Sequence, residues 1–150
     1  MFIRYYTVVE RSFADTETEF LRGAERWMPN LAYKANGHGM QLLSELGFKV
    51  GDRRISRRID IHLGEPLMGT GLTLVPLRWR ASAKAALFPV LDGHIEIAAI
   101  GASVTQVGLS ASYEPPLGLV GKLADRAVMH RIAEVTVKDF VERVGMHLQG

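Results

Sequence analysis

A chain of 150 residues carrying 18 Lys plus Arg against 16 Asp plus Glu has a formal charge of +2, with 47% apolar and 23% charged residues and no cysteine. That length fits one domain, residues 1–150, able to bury roughly 70% of the surface exposed by the unfolded chain, and the composition is far from that of disordered chains. Lack of cysteine excludes a disulfide framework, a thiol nucleophile, a zinc–thiolate site and an iron–sulfur cluster, so packing must supply the stability.

Residues 2–10 are rich in β-branched and aromatic types (Ile3, Tyr5, Tyr6, Thr7, Val8, Val9) and read as a first strand. Asp15 or Thr16 then offers a side-chain oxygen to open a helix, and Thr16 with Glu19 three positions on matches a capping box. Phe20, Leu21, Ala24, Trp27 and Met28 keep helical steps until Pro29, which predicts a stop there. A second helix is expected over about Leu31 to Leu46, weakened by Gly37 and Gly39 and closed by Gly47.

From Phe48 the period changes to that of strands. Ile55, Ile59, Ile61 and Leu63 share one parity while Ser56, Arg58, Asp60 and His62 take the other, as a sheet with one dry and one wet face requires. Turn chemistry at 64–66, 69–71, 81–84, 92–93 and 101–103 separates Leu72 to Arg80, Leu87 to Leu91, Ile95 to Ile100 and Thr105 to Tyr113, which predicts an antiparallel meander. Pro76 and Pro89 fall inside two of these runs and predict an edge position, a bulge or a break at each.

After Pro115 and Pro116, residues Val120, Leu123, Ala127, His130, Ala133, Val137, Phe140, Val144 and Leu148 advance by three or four. They make one apolar stripe on a helix of about 30 residues, roughly 45 Å long, and only a sheet is broad enough to receive it. Strand, two helices, antiparallel strands and a long terminal helix is the order of an α+β helix-grip fold, in which a curved sheet wraps the last helix.

Tyr113, Glu114, Pro115, Pro116, Leu117 and Gly118, followed by Asp125, Arg126, His130, Arg131, Ala133, Glu134, Thr136 and Phe140, resemble the end of small bacterial members of the START-like (SRPBCC) superfamily. Leu77 to Arg80 and Phe88 to Asp92 are similar to the same subgroup. The resemblance covers the last 75 or so residues, and the first half by element order alone. It implies the fold of polyketide cyclases and dehydratases, coenzyme-Q-binding proteins and lipid carriers.

A strongly bent sheet cannot meet a straight helix along its whole length, which predicts a hollow beneath the helix. Its expected lining is Ile59, Ile61, Trp79, Leu91, Ile95, Ile97, Leu109 and Tyr113, with Leu123, Ala127 and His130 from above. Such a surface suits a hydrophobic or amphipathic guest; alternatively these side chains fill the space themselves. His130 can fix a ligand's polar end or act as a base beside Tyr113 or Glu134, or it can simply pair with Glu134 one turn away.

Other chemistry finds less support. Lys49, Arg53, Arg54, Arg57 and Arg58 form a basic cluster, but alternate residues of a strand face opposite ways, so solvated surface is favoured over nucleic acid. The five histidines are scattered, the glycines match no phosphate or dinucleotide motif, and no nucleophile elbow occurs. No metal or cofactor is expected. The reading is a binding protein or carrier for a hydrophobic small molecule or lipid, with no catalytic residue assigned. A cyclase or dehydratase using the same hollow is the alternative, and an interaction module with a filled core the third possibility. Without a signal-like or membrane-spanning run, the expected setting is the cytoplasm with no stable membrane insertion, and a homodimer is compatible with the sequence.

Overall fold

In order along the chain, the computed structural model has β1 (Phe2–Val9), α1 (Phe13–Leu21), α2 (Ala24–Glu45), β2 (Ile59–Leu63), β3 (Leu67–Gly69), β4 (Leu72–Ala81), β5 (Val90–Gly101), β6 (Val104–Glu114) and α3 (Arg126–Gln149). The structure describes residues 1–45, 59–81, 90–114 and 126–150. Expectations at Ile55, Pro89, Gly47, Leu123, the basic cluster 49–58 and the turn 82–84 lie outside those residues.

The helices begin and break at places other than those predicted. Ser12 is the cap of α1: its hydroxyl accepts from the Asp15 amide at 3.2 Å. Thr16 is instead buried within the helix, its hydroxyl donating to the Ser12 carbonyl at 2.8 Å. The interruption comes at Gly23, whose φ of +64° is a conformation that costs side-chain-bearing residues more than glycine. Its carbonyl accepts from the Arg26 and Trp27 amides and opens α2. Pro29 does not stop the chain but lies inside α2. Buried Met28, Ala32 and Ala35 on either side of it hold the helix in place, and that packing offsets the one hydrogen bond the proline forfeits.

Among the described residues six strands form one antiparallel sheet in the order β1-β6-β5-β4-β2, with β3 also pairing β4. Asp92 and Gly93 were expected to turn the chain, yet β5 runs straight through them. A Cβ on Gly93 would lie 2.6 Å from Ala111 Cα and closer still to the Ser110 carbonyl oxygen, so glycine lets β5 press onto β6 here. Pro76 likewise sits within β4 without a break. Its carbonyl accepts from the Gly64 amide at 2.9 Å. In an antiparallel ladder a residue's N–H and C=O point the same way, so the missing amide faces the gap where β2 gives way to β3, and the pairing with β5 loses nothing.

Odd-numbered residues of β4, β5 and β6 supply the dry face: Val75, Leu77, Trp79, Leu91, Ile95, Ile97, Val107, Leu109, Ala111 and Tyr113 are all buried. Against them α3 lays Ala133, Val137, Phe140, Val144 and Leu148, also buried. Its 24 described residues make a rod of about 36 Å. This is the α+β helix-grip architecture.

Candidate functional site

The register of the sheet places Ile61, Trp79, Leu91 and Tyr113 in one row across four strands on the face turned to α3. Val75, Ile95 and Leu109 form a row further along, with Leu77, Gly93 and Ala111 between the two. From the helix side, Phe140 meets the Trp79 ring edge-on, with centroids 5.1 Å apart at 87°. At the Ile95 and Leu109 row no hollow is left. The space bounded there by Ile95, Val107, Leu109, Phe140, Val141 and Val144 admits no water molecule.

Two polar atoms are left over beside this row. Among the described residues, Trp79 Nε1 and Thr136 Oγ1 are buried and have no hydrogen-bond partner. Phe140, whose ring meets that of Trp79, is one helical turn from Thr136 on α3. A close approach of α2 helps to enclose the hydroxyl, for a Cβ on Gly39 would overlap Thr136 Oγ1. Each unpartnered buried group costs about 1–3 kcal/mol.

Tyr113, 1% exposed, completes the row. Burial pushes its phenol well above the usual tyrosine range; the Thr136 hydroxyl beside it acts in the opposite sense, although it lies outside good hydrogen-bond geometry. The unfolded phenol titrates near pH 10 and the folded one higher, so folding favours the protonated form. Stability is therefore level below about pH 10 and falls as pH rises from there through the folded value. Tyr113→Phe is expected to reduce that alkaline slope. Urea midpoints measured from about pH 9 to 11 read the difference.

The other residues expected at the hollow are placed differently. His130 does not line it: its side chain is 51% exposed and its Nε2 is 2.8 Å from Glu134 Oε1, an ion-pair geometry along the helix flank. A histidine with a carboxylate one turn away is better served by solvent than by burial, which would strip water from both groups. Ala127 is also exposed, and Ile61 is half-buried. Ile59 pairs with Ala81 at the edge of β2, and Leu123 lies outside the described residues. Sequence reasoning missed Thr136 as a site residue. It flanks the apolar stripe one turn before Phe140, and a lone hydroxyl there was the available signal.

On the opposite side of α3 an open groove of ≈ 350 Å³ runs between α2 and α3, past His38, Gln41, Glu45 and Asp139. His38 Nδ1 is 3.3 Å from Asp139 Oδ1, and Arg143 Nε is 2.5 Å from Asp139 Oδ2. This is a surface pairing network without a nucleophile. Among the described residues no three histidine or carboxylate side chains gather as metal ligands. Arg78 faces Asp92 at 3.9 Å, both well exposed, so part of the outer basic surface is already matched. No described helix is long and apolar enough to cross a membrane.

No protein-family model matches the chain, and no curated protein matches it in sequence. Solved structures do resemble it. A conserved protein from Geobacillus kaustophilus aligns over 99% of this chain and 95% of its own, at 10% identity and a TM-score of 0.55. A hypothetical protein from Helicobacter pylori aligns over 96% of this chain and 88% of its own, at 14% identity and a TM-score of 0.50. An aromatase/cyclase from a Streptomyces species aligns over 96% and 93%, at 12% identity and a TM-score of 0.34. At such identities the likeness is one of fold alone.

Proposed function

We propose that the protein is a START-like carrier that holds a hydrophobic or amphipathic small molecule, such as a lipid, between the sheet and α3 without transforming it. The observation that carries this reading is the pair of buried, unpartnered atoms, Trp79 Nε1 and Thr136 Oγ1. A guest with one polar end accepting from both would recover the cost of their desolvation, while Ile61, Leu91 and Tyr113 cover its apolar part. Ile95 and Leu109 border space too tight for water, so in this reading the guest is held nearer the Trp79 row. A carrier is favoured over a cyclase because proton abstraction needs a base in the hollow. Tyr113 keeps its proton there, and His130 stands outside it with Glu134.

Native mass spectrometry and solvent extraction of freshly purified protein test the reading, with a copurified apolar compound as the expected result. Thr136→Val gives the sharper check. Removing the orphaned hydroxyl should raise the stability of the empty protein by about 1 kcal/mol and weaken the guest by up to about tenfold. A variant that gains stability while holding every extracted compound as tightly as before would show that the hydroxyl anchors nothing. Absence of any bound or bindable apolar compound would leave the hollow a plain core.

A further inference from the structure

Strand β1 ends the sheet, and nothing among the described residues pairs with its outer edge. The Tyr113 amide donates to the Met1 carbonyl at 2.7 Å, and the register then continues with Ile3 opposite Ala111, Tyr5 opposite Leu109 and Thr7 opposite Val107. Since N–H and C=O of one residue point the same way and alternate along an antiparallel strand, these odd residues bond to β6. Phe2, Arg4, Tyr6 and Val8 therefore turn their amides and carbonyls outward. Proteins usually blunt such an edge with a bulge, a proline or several charges. This one runs for eight residues in unbroken register, without proline, and Arg4 is its sole charge. Phe2 is 65% and Val8 53% exposed on it.

Beside that edge lies an open groove of ≈ 440 Å³, between β1 and α3. Ile3, Tyr5 and Val135 contribute its apolar surface; Arg131 and Lys138 bring two cations and Glu134 one carboxylate, and Arg4 also borders it. Glu134 already faces His130 at 2.8 Å, and the Arg4 guanidinium stacks 4.9 Å over the Tyr6 ring. We infer that this edge and groove receive an extended, acidic segment of a partner protein, which adds to β1 as a further strand. The outward amides supply affinity without regard to sequence, while Arg131 and Lys138 select for carboxylates. A second copy of this chain fits less well. Two such edges would bring the same cations face to face, and β1 carries no acidic residue to match them.

The test uses the whole protein and a capped octapeptide alternating Glu with Val. Its controls are the Lys–Val counterpart and a Glu–Val peptide N-methylated at every amide, which leaves neither edge able to donate. The Glu–Val peptide is expected to bind at least about tenfold tighter than either control and to slow amide exchange at Arg4, Tyr6 and Val8. Arg131→Glu combined with Lys138→Glu should reverse the charge preference. Val8→Pro removes an outward amide without a bond to β6, so it should weaken the peptide while the thermal midpoint stays close to that of the parent protein. Edge amides already protected in the isolated protein would show that a second copy or another segment holds the edge, and would overturn the proposal. Equal binding of the N-methylated peptide would reduce the contact to surface charge, and would overturn it as well.

Discussion

Trimming Phe140 to alanine is expected to remove about 3–5 kcal/mol of folding stability. Phe140 has no exposed surface, and its ring meets Trp79 edge-on at 5.1 Å, a pairing worth about 0.5–1.5 kcal/mol beyond burial. It also borders a space too tight for water, among Ile95, Val107, Leu109, Val141 and Val144. Those neighbours belong to two strands and to α3 itself, so they are held by backbone ladders and cannot close over the void. The loss should therefore fall near the top of the range for such truncations rather than near the bottom. Equilibrium urea unfolding of the purified variant reads it. A loss below about 1.5 kcal/mol would show that α3 is not seated on the sheet through this ring, and the architecture derived from it would fail.

The second large effect belongs to Gly93. Valine at this position must find room where even the first side-chain carbon would lie 2.6 Å from Ala111 Cα, with the Ser110 carbonyl oxygen nearer still. Both obstacles are backbone atoms of β6, the central neighbour of β5 and β1, so a rotamer change cannot relieve the clash. We expect Gly93→Val to cost about 3 kcal/mol or more and to expose apolar surface, read as lower soluble yield and increased dye binding. Gly37→Ala offers the contrast. A Cβ there meets nothing within 4 Å, and a helical glycine replaced by alanine should gain up to about 1 kcal/mol. If both substitutions prove equally neutral, β5 and β6 are not pressed together at Gly93.

Much of the frame was legible because period and burial agree. Along β4 to β6 the odd positions are apolar apart from Thr73 and Thr105, while about half of the even ones are polar, and a strand with one dry face cannot slip by one residue without exposing the whole set. Likewise Ala133, Val137, Phe140, Val144 and Leu148 fall on one side of α3 for the reason that makes any amphipathic helix readable. What misled was local punctuation. Pro29 and Gly93 have the chemistry of breaks, yet tertiary packing carries a helix through the first and a strand through the second. Ser12 outcompeted Thr16 as a cap because the chain leaves β1 into a turn within reach of the Asp15 amide, a distance no spacing rule reveals. His130 shares its period with the buried stripe but not its burial, since periodicity fixes direction around a helix and says nothing about where along the rod the neighbours end. The unpartnered groups on Trp79 and Thr136 could be found only from coordinates, because an absent hydrogen bond leaves no trace in residue types.

The pairing of β1 with β6 joins Phe2 to Ser112 and Val9 to Thr105, nearly the full span of the sheet in sequence. On a ribosome that adds about 5–20 residues each second, the first strand thus waits roughly 5–20 s for its mate to be synthesised. Throughout that interval a β-prone segment, FIRYYTVV, is available to other nascent chains. Synthesis rate and chaperone supply, beside the strength of the finished sheet, then bear on how much native protein is recovered.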